Sequence, residues 1–405
     1  MLDVDLAQLF TFRRLSRAVV CCSIMLFAGC GGNDTFLLPT LNGSIPIVVA
    51  HRGASGYLPE ETLEAYKKAI ELGADVLEFD LISTSDGVLI ARHDPNLATS
   101  TDVASHPEFA ARKKTTQVDG ETQTGWFASD FTLAEIKTLG AIATDSERPQ
   151  QYNGLYKIVT FQEIIDLVKT QRAATGRDIA IYPETKNPTY HRDFGLPLED
   201  KFIEQIIQAG WNSKNALVYV QSFEPGSLKY MKSKGLNTRL IQLIDAADVD
   251  LKTGDLILSA PFDKPYDWAK AGDTRLFSDM VTPAGLAEIK TYADGIGPWK
   301  RYIITIKGGL DADGNLKDIN GDGTINDADT NSQPPTALVA EAHRAGLFVH
   351  PYTFRNEQRR LANDYNSDPL NEYLVFYRLG VDGVFSDFTD TAIAARSKYL
   401  KGFGR

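Results

Sequence analysis

The chain has 405 residues, of which 43% are apolar and 23% are charged, and it contains 32 Gly and 18 Pro. This composition is typical of a soluble globular protein and excludes the disordered and fibrous classes. The 42 Lys and Arg residues are outnumbered by 53 Asp and Glu, for a formal net charge of −11, and no long basic run follows the first 20 residues. Nucleic acid and other polyanions are therefore not expected as partners.

The N-terminal segment has the pattern of an export signal. Arginines at three of the first 17 positions precede an apolar stretch at 18–29. This stretch is too short to cross a bilayer but is typical of a signal peptide. We therefore predict a signal peptide at 1–29, a flexible tether at 30–44 and one folded domain at 45–400.

The end of this segment indicates lipidation. The letters LFAGC at 26–30 are similar to the bacterial lipobox, in which the Cys becomes the lipidated first residue of the mature protein. We expect a periplasmic or cell-envelope lipoprotein of a bacterium that is held at the membrane by a lipid anchor on Cys30. The alternative is plain secretion with cleavage at another position.

From residue 45 onward, short β-branched runs alternate with amphipathic helical stretches, which predicts a parallel α/β architecture. The predicted strands are 46–50, 76–81, 88–92, 179–183, 216–221, 238–243, 302–306, 347–352 and 383–385. The predicted helices include 61–72, 161–169, 200–208 and 337–345. When insertions at about 95–157 and 308–332 are set aside, the remaining length is close to the roughly 250 residues of a TIM barrel. We predict one (β/α)8 barrel, with the first insertion as a subdomain that caps its mouth.

The dipeptide Asp86-Gly87 predicts a β-hairpin with a two-residue turn. In that register Asp80 lies opposite His93, and Glu78 lies two residues along on the same face. A parallel pairing would also place these three side chains near one mouth of the barrel. Either pairing therefore predicts that the three ionisable groups converge.

A second histidine follows an apolar run. His51 directly follows the predicted strand at 46–50 and precedes Arg52 and Gly53. The carboxyl ends of barrel strands are where barrel enzymes keep their catalytic groups, and a glycine there allows a ligand to approach the backbone. A histidine packed in the core is the alternative, which the neighbouring Arg52 makes less attractive.

Ionisable side chains at three strand ends form a set suited to phosphoryl chemistry. Its members are His51, Arg52, Glu78, Asp80, His93, Glu184 and Lys186. The three carboxylates can hold a hard divalent cation, and the two histidines can serve as general acid and base near neutral pH. The two cations can balance phosphoryl oxygens. The alternative is a set of structural ion pairs.

A resemblance to the glycerophosphodiester phosphodiesterase family runs through nearly the whole chain after residue 50. Its most specific part is HRGASGYLPEETLEAYKKAIELGADVLEFDLISTSDGVLIARHDPNL at 51–97. It continues in PETK at 183–186, QSF at 221–223, HPYTFRNE at 350–357 and GVDGVFSDF at 380–388.

The resemblance implies a TIM barrel with an insertion subdomain that hydrolyses glycerophosphodiesters to glycerol 3-phosphate and an alcohol. It implies a divalent cation at the active site, Ca²⁺ or alternatively Mg²⁺. It also implies acid and base roles for His51 and His93, phosphate contacts for Arg52 and Lys186, and metal ligation by Glu78, Asp80 and Glu184. Glu61 stands where relatives usually carry Asn or His, which leaves any substrate preference set by this position open.

The second insertion contains a calcium-loop pattern at 318–329. Oxygen-bearing residues occupy the ligand positions, with the turn glycine at the sixth position. The ligand positions are Asp318, Asn320, Asp322, Thr324 (through its carbonyl), Asn326 and Asp329. The last position is Asp instead of Glu, as in dockerin-type loops. We expect a structural Ca²⁺ here, and a solvated acidic loop is the alternative.

Three functions stay open at this point: glycerophosphodiester hydrolysis, phospholipase D-like cleavage of intact phospholipid, and a non-catalytic, calcium-binding surface lipoprotein. An intact pair of histidines argues against the third. Aromatic candidates for the pocket are Phe223, Trp299, Tyr352 and Phe354. The sequence does not choose the alcohol headgroup, the role of each histidine, a cyclic-phosphate or direct-water route, or an oligomeric state.

Overall fold

The computed structural model describes residues 37–404. The predicted signal peptide, Cys30 and the tether up to residue 36 lie outside the described residues. Residues 37–44, which the sequence assigns to the tether, pack against the barrel: Leu38 is buried, and the backbone N–H of Leu41 donates to Asp382 Oδ1 at 2.7 Å. In residues 37–404, no helix has the length and apolarity needed to span a bilayer.

The strands of the described chain fall into one large sheet and three small ones. They are β1 Ile47–Ala50, β2 Val76–Ser83, β3 Leu89–Ala91, β4 Lys114–Val118, β5 Glu121–Gly125, β6 Ala180–Thr185, β7 Tyr219–Ser222, β8 Arg239–Ile244, β9 Asp248–Val249, β10 Leu256–Ile257, β11 Gly295–Pro298, β12 Ile306–Gly308, β13 Thr330–Ser332, β14 Phe348–Val349 and β15 Gly383–Ser386.

The α-helices alternate with the strands of the large sheet. They are α1 Leu63–Glu71, α2 Leu133–Ile136, α3 Phe161–Thr175, α4 Pro188–Asp193, α5 Glu199–Gln208, α6 Pro225–Ser233, α7 Tyr266–Ala271, α8 Phe277–Met280, α9 Pro283–Lys290, α10 Leu338–Arg344, α11 Pro369–Leu379 and α12 Thr389–Lys401.

Eight parallel strands form a nearly closed barrel. Their order around the barrel is β14, β11, β8, β7, β6, β2, β1 and β15. Backbone hydrogen bonds join the two ends, from Asp382 N to Val349 O at 2.9 Å and from Phe385 N to Pro351 O at 3.1 Å. The predicted TIM barrel is confirmed.

The barrel strands alternate between two apolar layers, as the period of a strand requires. Val48 and Leu77 belong to the large core between the barrel and its helices, whereas Val49, Val76 and Tyr182 belong to the cluster inside the barrel. Because Glu78 and Asp80 share the parity of Val76, and Glu184 that of Tyr182, this alternation places all three carboxylates on the inner face.

The predicted strand at 302–306 is wrong as a barrel strand. The barrel strand here is β11, which the sequence does not reveal because Gly-Ile-Gly-Pro has no β-branched run. Its glycines serve close packing, since a Cβ on Gly295 would lie 2.9 Å from Ile241 Cδ1 and one on Gly297 2.7 Å from Leu243 Cδ2. The apolar residues at 302–306 are buried in a turn that leads into the antiparallel pair β12–β13.

The hairpin of β2 and β3 exists, but its predicted register is wrong by one residue. Leu81 pairs with Ala91, so that Arg92 rather than His93 lies opposite Asp80, and Arg92 N donates to Asp80 O at 3.0 Å. The reason is a longer turn: Thr84 N donates to Val88 O at 3.0 Å, which leaves three residues in the loop. Gly87 takes a left-handed conformation (φ 76°), as loops of this length require.

Both predicted insertions are present. The first, between β3 and α3, carries the hairpin β4–β5, helix α2 and its own apolar cluster, which includes Phe109, Trp126 and Phe131. The second is the loop between β12 and β13. The tip of the β4–β5 hairpin reaches the carboxyl ends of the barrel strands, where it lines a cavity.

Candidate active site

Three carboxylates meet at the carboxyl ends of two neighbouring strands. Asp80 of β2 and Glu184 of β6 are partners in the parallel register, and Glu78 lies two residues earlier on β2. Each offers an oxygen, and the three oxygens all lie within 4.8 Å of one another. Glu78 is held from both sides, by Arg52 N at 2.7 Å and by Gln221 Nε2 at 3.0 Å.

The three buried carboxylates perturb one another. Burial and the nearby Asp80 raise the pKa of Glu78 well above its ordinary value. Burial likewise raises the pKa of Glu184 to about 8, with Lys186 opposing and Asp80 adding to the shift. Burial would raise the pKa of Asp80 too, but Lys186 and Arg52 bring it below its ordinary range.

This donor set fits a divalent cation. Asp80 Oδ2 is buried and has no hydrogen-bond partner among residues 37–404. Hard cations such as Ca²⁺ and Mg²⁺ take carboxylate oxygens, and a cation between these carboxylates would offset their mutual repulsion. Glu78, Asp80 and Glu184 are therefore the residues that could hold a metal ion.

Two cations adjoin the carboxylates. Arg52 Nε lies 3.2 Å from Asp80 Oδ2 in an ion pair without hydrogen-bond geometry, and its Nη1 donates to Glu60 Oε1 at 3.2 Å. Lys186 Nζ lies 3.4 Å from Glu184 Oε1 and 5.3 Å from the centre of the Phe223 ring. Both side chains line the cavity, where they can meet an anionic ligand.

His51 is anchored by a buried carboxylate. Its Nδ1 lies 2.6 Å from Asp387 Oδ1, and only 1% of Asp387 is exposed. Burial raises the pKa of Asp387, but Arg355, Arg148 and His51 hold it well below its ordinary value. Because an ionised carboxylate can only accept, Nδ1 carries the proton and Nε2 is the free ring nitrogen. Burial and Arg52 lower the pKa of His51 to about 4, against the opposing effect of Asp387, so the ring is neutral near pH 7.

His93 occupies a more open position. It follows β3 and lines the same cavity as His51, and its Nδ1 lies 3.0 Å from Asp94 Oδ1. The shifted register therefore does not separate it from Glu78 and Asp80. Arg92, which takes the predicted place of His93 in the pairing, is buried and donates to the carbonyls of Glu60 and Glu61.

The cavity has a volume of about 350 Å³ and holds all seven predicted residues in its wall. Phe223, Trp299 and Tyr352 line it, as predicted. Phe354 does not: it is buried against Tyr373, with ring centres 4.7 Å apart. Part of the remaining wall comes from the β4–β5 hairpin, the loop before α7 and the start of α7: Val118, Asp119, Glu121, Gln123, Pro261, Phe262, Lys264 and Tyr266.

Sequence reasoning missed the residues that support this set. Asp387 follows β15 as His51 follows β1, so the same strand-end rule could have found it. Gln221 and Glu60 also lie in segments that carry the resemblance. Glu61 is fully buried and accepts from Asp80 N at 3.0 Å and from Tyr66 Oη at 2.5 Å, so it supports strand β2 and does not line the cavity.

The loop at 318–329 folds around its own side chains. Asp318 accepts from Gly321 N at 2.7 Å and from Gly323 N at 2.8 Å, and Asp329 Oδ1 accepts from Ile319 N at 2.7 Å. Asp329 is buried, whereas Asp318 and its other expected ligand side chains are partly or fully exposed. These hydrogen bonds give the loop a compact turn, apart from the cavity.

Comparison with known proteins agrees with this geometry. Residues 51–391 match the model of the glycerophosphoryl diester phosphodiesterase family. The chain is 38% identical over 387 residues to glycerophosphodiester phosphodiesterase GDPD6 of Arabidopsis thaliana, covering 90% of this chain and 92% of the relative. It is 30% identical over 395 residues to the glycerophosphodiester phosphodiesterase of Haemophilus influenzae, covering 93% and 96%.

A solved structure shares the fold. It is an Oleispira antarctica phosphodiesterase in complex with the product sn-glycerol-3-phosphate, with a TM-score of 0.52 at 17% identity over 87% of this chain and 97% of that one. The family match spans most of the chain and includes every residue of the site described above. The chain therefore belongs to the glycerophosphoryl diester phosphodiesterase family of enzymes.

Proposed function

We propose that this protein hydrolyses glycerophosphodiesters to glycerol 3-phosphate and an alcohol, and that it requires a divalent cation to do so. The observation that carries the proposal is that the buried carboxylates, both histidines and both cations face one cavity. Family membership supports the reaction, and the product bound to the Oleispira neighbour supports glycerol 3-phosphate as the phosphate-bearing product.

The charged residues bind the phosphodiester. A divalent cation held by Glu78, Asp80 and Glu184, Ca²⁺ or alternatively Mg²⁺, would polarise a phosphoryl oxygen and offset its negative charge. Arg52 and Lys186 bind the non-bridging phosphoryl oxygens together with the cation and stabilise the charge that grows in the transition state. Their ion pairs with Asp80 and Glu184 hold these cations at the wall of the cavity.

The histidines move the protons. We assign the general base to His51, because its Nδ1–H donates to Asp387 and Nε2 is free to accept a proton. As the nucleophile oxygen bonds to phosphorus, its proton passes to Nε2, and the bond to the alcohol breaks as His93 donates a proton to it. A glycerol hydroxyl as nucleophile gives a cyclic phosphate that water then opens, whereas direct attack by water omits this intermediate; both routes end at glycerol 3-phosphate.

Cleavage of intact phospholipid is the alternative reaction within the same chemistry. Such an enzyme needs a broad apolar rim to admit acyl chains. Among the cavity-lining residues of the described chain, Phe262 is the one large apolar side chain that is well exposed, at 44%. This rim favours a small, water-soluble diester.

The test is an assay of the full chain in Ca²⁺ with glycerophosphocholine and, separately, with intact phosphatidylcholine. We expect glycerol 3-phosphate and choline from the first substrate and no choline from the second. Choline release from the intact lipid alone would establish the phospholipase D-like alternative. No release from either substrate, with Ca²⁺ and Mg²⁺ each tried, would leave the non-catalytic, calcium-binding lipoprotein.

Two further properties belong to the proposal. We infer that the 318–329 loop binds a structural Ca²⁺, supported by its ligand spacing and by the turn its aspartates already form. We also infer export and lipidation at Cys30, supported by the sequence pattern at 18–30. Growth of an expressing bacterium with radiolabelled palmitate should label the wild type and leave Cys30→Ser unlabelled; equal labelling of both would remove the anchor.

A further inference from the structure

A loop of the first insertion, at 144–148, contacts residues that hold His51 and Arg52, and its contacts lie outside the cavity. Arg148, at the end of this loop, is buried by three partners. Its Nη2 donates to Asp387 Oδ2 at 2.5 Å, its Nε to Glu357 Oε1 at 2.9 Å and its Nη1 to the carbonyl of Ser55 at 3.2 Å. A guanidinium can satisfy three such acceptors at once because its donors are fixed in one plane.

These contacts lead to His51 along two routes. The other oxygen of Asp387 accepts from His51 Nδ1, so Arg148 and His51 hold the same carboxylate from opposite sides. Ser55, whose carbonyl accepts from Arg148, donates its own hydroxyl to the carbonyl of His51 at 2.8 Å. Arg148 therefore restrains both the ring and the backbone of His51.

The same loop also reaches Arg52. Thr144 Oγ1 donates to Glu60 Oε2 at 3.1 Å, and the other oxygen of Glu60 accepts from Arg52 Nη1 at 3.2 Å. Arg148 and Thr144 therefore act alike. Each bonds to one oxygen of a carboxylate whose other oxygen bonds to His51 or Arg52.

A further arginine, 32% exposed, pairs with the same loop at the surface and touches neither Asp387 nor Glu60. Arg359 pairs with Asp145 and Glu147, between the two contact positions. Arg355, the second partner of Asp387, is less suited to fix that carboxylate alone, because 29% of its side chain is exposed and it bonds through Nε only. Without Arg148, Arg355 would be the one arginine within residues 37–404 that orients Asp387, and its side chain is partly exposed to solvent.

We propose that Arg148 is a positioning residue for His51, acting through Asp387, and that Thr144 has the same role for Arg52 through Glu60. The insertion is then part of the catalytic apparatus as well as a wall of the cavity. This inference rests on the function proposed above. A small displacement of a catalytic group is costly, since about 1 Å can lower the rate by ~10²-fold.

The test compares Arg148→Met and Arg148→Lys with the matched control Arg359→Met. The substrate is glycerophosphocholine, and kcat and KM are measured across pH at saturating Ca²⁺. For Arg148→Met we expect kcat to fall by about 10-fold or more, with little change in KM and an altered acidic limb of the kcat profile. Arg148→Lys keeps the charge and should recover part of kcat, and Arg359→Met should keep kcat within about twofold and the same pH profile.

A spectroscopic readout separates this inference from the proposed function. The full chain with ¹⁵N-labelled histidine should show a strongly downfield Nδ1–H proton for His51, assigned by its absence in His51→Gln. We expect Arg148→Met to shift or lose this signal and Arg359→Met to retain it. If wild type releases no glycerol 3-phosphate, the proposed function fails while this signal still tests the coupling.

The inference is overturned if Arg148→Met keeps both the wild-type pH profile and the His51 signal, or if Arg359→Met changes both equally. Should Arg148→Met fail to fold by thermal melting, Arg148→Lys and Thr144→Val carry the test. For Thr144→Val we expect kcat/KM to fall several-fold with the His51 signal unchanged, because only the Glu60–Arg52 contact is affected. Unchanged kinetics and signal in both variants would refute the positioning roles.

Discussion

His51 and His93 differ in their surroundings although they share one cavity. His51 is buried against an ionised aspartate, whereas the side chain of His93 is partly exposed beside Asp94. Such a difference lets one imidazole begin neutral as base while the other supplies a proton. In the proposed mechanism, the surroundings of the two histidines therefore assign the two proton transfers, since the residue type is the same.

Replacement of either histidine by alanine should abolish most turnover. We expect His51→Ala and His93→Ala each to lower kcat by roughly 10²-fold to 10⁴-fold, because each removes a proton acceptor or donor. Initial rates of glycerol 3-phosphate release at saturating Ca²⁺ measure this. His106→Ala is the control, since His106 lies in the insertion and pairs with Asp102 and Glu108 outside the cavity. Activity within a few-fold of wild type would exclude that histidine from the mechanism.

A third histidine should limit stability at acid pH. His191 in α4 is fully buried, its ring nitrogens have no hydrogen-bond partner within residues 37–404, and burial lowers its pKa from 6.5 to about 3. Below pH 6.5 the unfolded chain binds a proton at His191 and the folded chain does not. The contribution of His191 to the free energy of unfolding is therefore complete above pH 6.5 and declines as the pH falls. Wild type should lose roughly 1–2 kcal/mol from this group between pH 6.5 and 5.

Urea unfolding of His191→Leu at several pH values checks this expectation. The variant should show a shallower loss of unfolding free energy between pH 6.5 and 5 than wild type, whatever its stability at pH 7. The control is His106→Leu, whose histidine is paired with carboxylates and is not buried. Parallel curves for wild type and His191→Leu would show that His191 is protonated in the folded protein.

At the scale of elements, the two proposed calcium sites differ in what builds them. The carboxylates of the active site come from barrel strands β2 and β6, which neighbouring strands fix on both sides. The ligands expected at 318–329 come from one loop between β12 and β13. A cation bound in this loop can order the loop, whereas β2 and β6 are already ordered by pairing with their neighbouring strands.

The Asp318→Ala, Asp322→Ala double variant should lose calcium-dependent stability and keep its catalytic metal requirement. Binding to the folded state alone stabilises it by mass action, by about 2.7 kcal/mol at a hundredfold excess over Kd. Thermal melting and limited proteolysis with and without Ca²⁺ measure the effect. An Asp166→Ala, Asp178→Ala variant makes the same charge change at exposed positions elsewhere. Loss of turnover as complete as in Glu78→Ala, in a folded double variant, would place the loop in the active site.

For the whole molecule, the barrel gathers carboxylates from separate strands into one group that could hold a metal ion. Exhaustive chelation should therefore stop glycerol 3-phosphate release, and Ca²⁺ or Mg²⁺ should restore it, because Glu78, Asp80 and Glu184 offer only oxygen ligands. Thiophilic ions such as Cd²⁺ have no matching soft ligand there and should restore less. Full activity after chelation, in protein that elemental analysis shows to be free of metal, would contradict metal dependence.

The sequence by itself determined the barrel and the grouping of seven ionisable side chains around one cavity. Strands with apolar β-branched runs can be predicted from short stretches of sequence, and in a parallel barrel their carboxyl ends meet at one face. His51, Asp80 and Glu184 could therefore be placed together without coordinates, and His93 reached the same cavity although its register was wrong by one residue. The strand-end rule is insensitive to such a slip because it depends on the end of the strand and not on the pairing.

Only the tertiary structure decided what supports these residues. Arg148 meets Asp387 across 239 positions and Thr144 meets Glu60 across 84, and no local pattern encodes such contacts. Strand β11 likewise owes its place to packing, since its glycines leave room for neighbouring strands and provide no β-branched signal. Ionisable side chains at strand ends can be predicted from short sequence patterns. The contacts that orient these side chains depend on which distant segments the fold brings together.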